Sequence, residues 1–208
     1  MSEMTLWGFD GSTYVRTVKM LFAEKRFTDF DQVPLNVLQG EPRTPEHIQR
    51  HPFGKVPVLD HDGLRLLETS AIVRYLDDLL PGKSLVPASR RDRARMDMAL
   101  GLVDSYGYGA MVVGIAGYYL FPDFVGGKDE ARRAAGVADA HKLLKLLMDI
   151  RGESPFIAGE LSLADIYLAP IISYVEMTPD HAGLLDIPGF SAWWESVRTT
   201  EGYRITQE

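Results

Sequence analysis

HPFGKVPVL, residues 51–59, decides how the rest of this chain is read. A proline enters what is otherwise a short apolar strand. Proline cannot donate to a strand ladder, so it belongs at a strand's start or edge. Two geometries satisfy that demand. A trans proline simply opens an edge strand, the form that general statistics favour, since only ~5–6% of X-Pro bonds in folded proteins are cis. A cis Val56–Pro57 bond instead turns the N–H and C=O of Val56 outward, where they can pair with the backbone of a bound peptide as an added strand would.

Working outward, TLWGF (residues 5–9) reads as a short buried strand. YVRTVKMLFAEK follows, with Val15, Val18, Met20, Leu21 and Phe22 on a helical face and Arg16, Lys19, Glu24 and Lys25 outside it. A second strand is expected near residues 30–33, then a loop broken by Pro42, Pro45 and Pro52 around a short helix at 46–50. VPVLD and LRLL, separated by His61, Asp62 and Gly63, read as a hairpin. TSAIVRYLDDLL (69–80) is a strongly amphipathic helix stopped by Pro81 and Gly82. After PGKSLVPAS the pattern turns helical throughout, with helices expected from near Ser89, over about 129–150, and from Ser162 and Pro188. The expected architecture is α/β followed by all-α: a small domain over residues 1–81, a linker over 82–88 and a helical domain over 89–208.

The bulk composition sets outer bounds. With 208 residues, 46% hydrophobic and 25% charged, the chain can bury a sizeable core. A net charge of −7 argues against nucleic acid or an anionic membrane as the main partner. There is no cysteine, which excludes disulfides, thiolate metal sites and any mechanism built on an enzyme thiol. The amino end lacks a basic region followed by an apolar core, and the uncharged run YGYGAMVVGIAGYYLF (106–121) is shorter than the ~20 residues a membrane helix needs. A cytoplasmic protein is expected.

Two further stretches carry chemistry. In LETSAI (67–72), Glu68 and Thr69 stand where a strand gives way to a helix. Free N–H groups there attract a carboxylate, and the Glu68 side chain suits an ammonium group; plain capping by Thr69 or Ser70 explains the same residues. In DGSTYVRTVK (10–19), Ser12, Thr13 and Tyr14 offer three hydroxyls at a helix start, for capping or for chemistry.

Taken together, GEPRTPEHIQRHPFGKVPVL, ETSAIVRYL and FIAGELSLADIYLAP resemble blocks of the cytosolic glutathione transferase family, in that family's order and spacing and over essentially the whole chain. The resemblance implies a thioredoxin-like first domain, a helical second domain, homodimers and no metal. Ser162 and Asp165 match the family's capping box, with Leu161 and Ile166 as its hydrophobic staple, a structural motif. Ser12 lies six residues before Val18, like the active serine of the phi-, tau- and zeta-like enzymes. The tyrosine-type classes place their tyrosine on the first strand, where this chain has Trp7 and Phe9.

What the resemblance implies for the site follows residue by residue. Ser12 would hold the sulfur of bound glutathione, with Tyr14 and then Thr13 as substitutes. Val56, beside Pro57, would pair with the cysteinyl backbone, Glu68 and Thr69 would hold the γ-glutamyl end, and Arg43 and Lys55 the glycyl carboxylate. Pro42-Arg43 replaces the phi-like His-Lys, and Lys55 stands where glutamine is common. The nucleophile would be the tripeptide thiolate. A free thiol has a pKa of ~8.5, and a hydroxyl donor with a helix N-terminus favours the charged form.

The second substrate, a small hydrophobic electrophile, is expected between the first domain and the long helix after the linker. Gly101, Gly107, Gly109, Gly114 and Gly117 on that helix imply close backbone approach, a kink, or room for a ligand. Phe9, Tyr106, Tyr108, Tyr118 and Tyr119 are candidate pocket residues, core or interface roles being the alternative. RRDRAR (90–95) reads as a solvated helix start or dimer rim. HIQRH, with His51 before a proline, does not read as a zinc site, and there is no P-loop or dinucleotide fingerprint. The expected activity is conjugation of glutathione to small electrophiles. The competing readings are a specialised glutathione-dependent dehalogenase, ether-cleaving enzyme, isomerase or peroxidase, and a non-catalytic binding or scaffold protein.

Overall fold

A computed structural model describes residues 3–184 and 186–207 of the chain. Four short strands form one sheet in the order β2-β1-β3-β4: β1 (Met4–Trp7), β2 (Asp31–Val33), β3 (Val58–His61) and β4 (Leu64–Leu66). β1 runs parallel to β2, pairing Leu6 with Gln32, and antiparallel to β3, pairing Leu6 with Leu59. Alternation along β1 sends Met4 and Leu6 into the core, while Thr5 and Trp7 point the other way. The expected strand over 5–9 stops early because the chain turns at Gly8 (φ 145°), whose N–H donates to Val33 O. A Cβ on Gly8 would sit 2.4 Å from a Val15 methyl, so only glycine lets this turn press against the next helix.

That helix is α1 (Thr13–Glu24). Its buried face of Val15, Val18, Leu21 and Phe22 packs with Leu59 and with Ile72, Val73 and Leu76 of α3 (Thr69–Leu79). The short α2 (Pro45–Arg50) is capped by Thr44, whose Oγ1 accepts from His47 N–H. The hairpin turns at Asp62 and Gly63, both at positive φ. Pro57 lies just outside β3, and its peptide bond with Val56 is cis.

The segment after α3 is pinned to both halves of the chain. Asp77 and Lys25 form an ion pair at 2.8 Å with both side chains almost wholly buried. Asp77 also accepts from Leu85 N–H at 2.8 Å and Ser84 Oγ at 2.6 Å. Leu85 C=O in turn accepts from Leu163 N–H at 3.1 Å.

The helical half starts with α4 (Arg90–Tyr119), capped by Ser89. Its hydrogen bonding widens to π-helical over Val103–Ala116 and returns to α at Gly117. This helix is long and apolar enough to cross a membrane, but half of its most apolar window is buried in the protein, as in a core helix. Against it pack α5 (Glu130–Arg151) and α6 (Leu163–Glu176), followed by α7 (His181–Leu184), α8 (Phe190–Arg198) and α9 (Glu201–Ile205). The glycines answer the question they raised in the sequence. Gly114 lies against Gly136 of α5, and a Cβ on Gly136 would stand 2.6 Å from Ala110 O, so close backbone approach is the reason there. Gly101 and Gly109 face open space.

The capping box at the start of α6 is present, and it is also a hub. Asp165, fully buried, accepts from Ser162 N–H and Oγ–H, from Ile157 N–H and from Trp193 Nε1 on α8. One carboxylate thus ties α6, α8 and the preceding loop together.

Candidate functional site

Ser12 is the N-cap of α1, in an extended conformation, and its Oγ accepts from Val15 N–H at 3.4 Å. Among the described residues nothing accepts the hydroxyl's own proton. Three cavities meet at this side chain.

The largest, about 540 Å³, brings together Ser12, Arg43, Lys55, Val56, Pro57, Glu68 and Thr69. These are all seven of the residues expected for thiolate and tripeptide. Val56 follows a loop held by two histidines: His47 Nε2 hydrogen-bonds with Lys55 O at 2.8 Å, and His51 Nδ1 accepts from Phe53 N–H at 3.3 Å. Burial pushes the His51 pKa down, while Glu68 opposes the shift. The HIQRH spacing therefore braces a loop, and among the described residues no group of three His, Asp or Glu side chains could hold a metal.

Glu68 has φ +67°, a conformation that non-glycine residues adopt at a cost and that tends to mark functional positions. It is the N-cap of α3, yet no side chain caps that helix. Capping by Thr69 or Ser70, the plainer reading of LETSAI, is absent. The first N–H groups of α3 are left for an acceptor from outside, as in anion sites at helix starts. Arg43 and Lys55 stand on the same wall, and both are exposed.

Tyr14 also lines this cavity, but its hydroxyl donates to Asp104 Oδ1 at 2.8 Å, and Tyr167 donates to the same oxygen at 2.8 Å. Burial, then the neighbouring Tyr167 and Asp104, raise the pKa of Tyr14 far above its ordinary value. Its one proton is thus directed at Asp104 and away from the Ser12 position. Thr13 does not line the main cavity. It is buried and lines only the two smaller cavities, because it occupies the first helical position with its carbonyl accepting from Thr17 Oγ1.

The second cavity is small, about 60 Å³, with Phe9, Tyr108, Val112, Phe121, Phe124 and Tyr174 among its mostly apolar walls. Two of the candidate pocket residues, Phe9 and Tyr108, thus line it, and Tyr108 lines the main cavity as well. Tyr106, Tyr118 and Tyr119 line none of the three cavities. Tyr106 points to solvent at 62% exposure, and Tyr118 and Tyr119 lie under Arg133, with Lys128 also over Tyr118. Sequence reasoning missed Asp104, Tyr167, Phe121, Phe124 and Tyr174. Only Asp104 left a signal, as a lone acid leading into the long uncharged run of α4.

The third cavity, about 320 Å³, has a mixed lining that includes Asp10, Arg16 and Glu176, and lies between α1, α6 and the C-terminal end of α9.

Comparison with known proteins agrees with this geometry. Residues 2–78 match the family described as Glutathione S-transferase, N-terminal domain, and residues 110–201 match Glutathione S-transferase, C-terminal domain. Glutathione S-transferase 4 of Zea mays is 32% identical over 187 residues, covering 86% of this chain and 80% of its own. Glutathione S-transferase F13 of Arabidopsis thaliana is 29% identical over 202 residues, covering 93% and 90%. Among solved structures, glutathione S-transferase I from maize in complex with an atrazine glutathione conjugate superposes with a TM-score of 0.83 at 25% identity, over 98% of this chain and 96% of that one. A thioredoxin-like sheet domain followed by a helical domain, with these matches to both halves, identifies the chain as a member of the glutathione S-transferase family.

Proposed function

We propose that this transferase conjugates glutathione to small hydrophobic electrophiles, with Ser12 as the donor that holds the glutathione sulfur as thiolate. In the reaction the sulfur attacks the electrophilic carbon, a C–S bond forms, and the leaving group departs with its electron pair. The thiol proton goes to solvent. In this reading Val56 pairs with the cysteinyl backbone, Glu68 and Thr69 hold the γ-glutamyl end at the uncapped start of α3, and Arg43 and Lys55 face the glycyl carboxylate. Phe9 and Tyr108 belong to the electrophile wall.

The observation that carries the reading is that one cavity gathers Ser12 and the six other residues the family resemblance implies for the tripeptide, with no acceptor for the Ser12 proton among the described residues. The maize structure, with a glutathione conjugate bound, supports the same reaction class. The test is retention on immobilised glutathione followed by chlorodinitrobenzene conjugation by wild type and Ser12→Ala. Wild type should bind and turn over, and the variant should bind with most turnover lost. Failure to bind at millimolar glutathione removes the reading, and unchanged turnover in the variant removes Ser12 from it.

A cytoplasmic homodimer is part of this proposal. Phe53, an aromatic 79% exposed on the rim of the main cavity, and Met98, 46% exposed on α4, suit contact with a second copy. Light scattering of the purified chain should return twice the 23.2 kDa of one chain.

A further inference from the structure

The third cavity beside Ser12 has a cation on its wall, Arg16, that pairs with no carboxylate among the described residues. Arg16 Nε donates to Thr206 Oγ1 at 3.2 Å, and its guanidinium carbon lies 4.9 Å from the centre of the Tyr203 ring. Neither neighbour carries a negative charge. Arg16 Nη2 is buried with no hydrogen-bond partner, and among the described residues no carboxylate forms an ion pair with Arg16. Two acids share the cavity wall, but each is engaged elsewhere. Asp10 lies 2.6 Å from Lys19 Nζ and accepts from Gln32, while Glu176 accepts from Trp194 Nε1 and lies 3.7 Å from Arg198. A guanidinium partly removed from water and facing an open cavity favours an anion with acceptor oxygens.

Its position relative to the reaction is fixed by α1. Arg16 N–H donates to Ser12 O at 2.9 Å, so Arg16 stands about one helical turn beyond the Ser12 cap, ~6 Å along the axis. The second and third cavities share Gly11, Ser12, Thr13 and Tyr174. Tyr174 Oη donates to Gly11 O at this boundary. An anionic group placed on the far side of this boundary from Ser12 meets Arg16 on the wall of the third cavity.

We propose that Arg16 is an anion anchor, and that the enzyme favours electrophiles carrying a carboxylate about one ring-length from the reacting carbon. This deepens the thiolate reading of Ser12 and rests on it. With 4-chloro-3,5-dinitrobenzoate as probe, the thiolate sulfur forms a bond to the ring carbon, the C–Cl bond breaks, and chloride leaves with the electron pair. The carboxylate is unchanged and stays on Arg16.

The test compares kcat/KM for this acid and for neutral 1-chloro-2,4-dinitrobenzene, at one pH and salt concentration, in wild type, Arg16→Gln and Arg16→Lys. The acid-to-neutral ratio should fall about tenfold or more in Arg16→Gln, mainly through KM for the acid, and recover in part in Arg16→Lys. An unchanged ratio overturns the anchor. So does an equal loss on both substrates, the result expected if Arg16 only holds Tyr203 and Thr206 in place. Wild type that turns over neither electrophile overturns the thiolate reading and the anchor with it.

Discussion

Val15 donates its N–H to the Ser12 hydroxyl, and the contact is long, at 3.4 Å. The bond uses a lone pair of the oxygen and leaves the serine proton to point elsewhere. Capping and chemistry, which compete in the sequence, are therefore compatible in the fold. Removing the hydroxyl should separate them. Ser12→Ala is expected to lose less than ~1 kcal/mol of stability, as for a weak cap, while kcat/KM for chlorodinitrobenzene falls about a hundredfold. Without the donor, the thiol of bound glutathione moves back toward its free value of ~8.5, so the rise of activity with pH should shift upward. Urea denaturation and a pH–rate profile check both halves.

Tyr14 supplies the contrasting case. Since its proton goes to Asp104, Tyr14→Phe should reduce conjugation less than tenfold, and cost about 1 kcal/mol through the lost hydrogen bond. A loss as large as that of Ser12→Ala would return Tyr14 to the role of thiolate donor.

The buried pair of Lys25 and Asp77 gives an acid-dependence with a definite sign. Burial alone would raise the Asp77 pKa, but hydrogen bonds from Leu85, Lys25 and Ser84 outweigh it and hold the value below normal. A carboxyl depressed in the folded state contributes stability that is fully present above its unfolded value of ~3.9, and that is lost as pH falls through the lower folded value. Asp77→Asn should leave the Lys25 ammonium buried without its counter-charge, destabilise by about 3–5 kcal/mol and flatten the acid limb. Unfolding free energies measured from pH 7 down to pH 3 would reveal both effects.

Gly136 and Gly109 form a matched pair. Gly136→Ala drives a Cβ to 2.6 Å from Ala110 O and should destabilise by about 1–3 kcal/mol. Gly109→Ala meets nothing within 4 Å and should be neutral or stabilising by up to ~1 kcal/mol. Thermal melts of the two variants should move in opposite directions, or only the first should move.

Much of this was legible because it is local. The short apolar run at residues 5–9, the Asp62-Gly63 turn and the Ser162 to Asp165 spacing each depend on a few adjacent residues. The seven candidate residues that line the main cavity were legible for another reason: six lie in two of the blocks that carry the family resemblance, and Ser12 stands at a family spacing from Val18. The apolar cavity was not fully legible, since Phe121, Phe124 and Tyr174 reach it from separate elements that only the packing brings together. α4 misled in a particular way. Its π-helical stretch abandons the 3.6-residue period on which any assignment of faces rests. Tyr108 lands on the cavity, whereas Tyr106, Tyr118 and Tyr119 do not. Helix boundaries shifted by a residue or two where caps decide them, as at Asp129 before α5 and Gly189 before α8.

The segment between the two halves is also informative for how this enzyme adapts to new substrates. Asp77 grips Ser84 and Leu85 from one side, and Leu163 grips Leu85 from the other, so the connection has no slack. The walls of the apolar cavity come from both halves, Phe9 from one and Phe121, Phe124 and Tyr174 from the other, and this fastening holds them in register. Under the proposed function, selection among electrophiles works like a fixed gauge, with fit decided by the side chains on the walls. New substrates are then reached by exchanging residues such as Phe9, Phe121 or Phe124 one at a time, with the frame left alone.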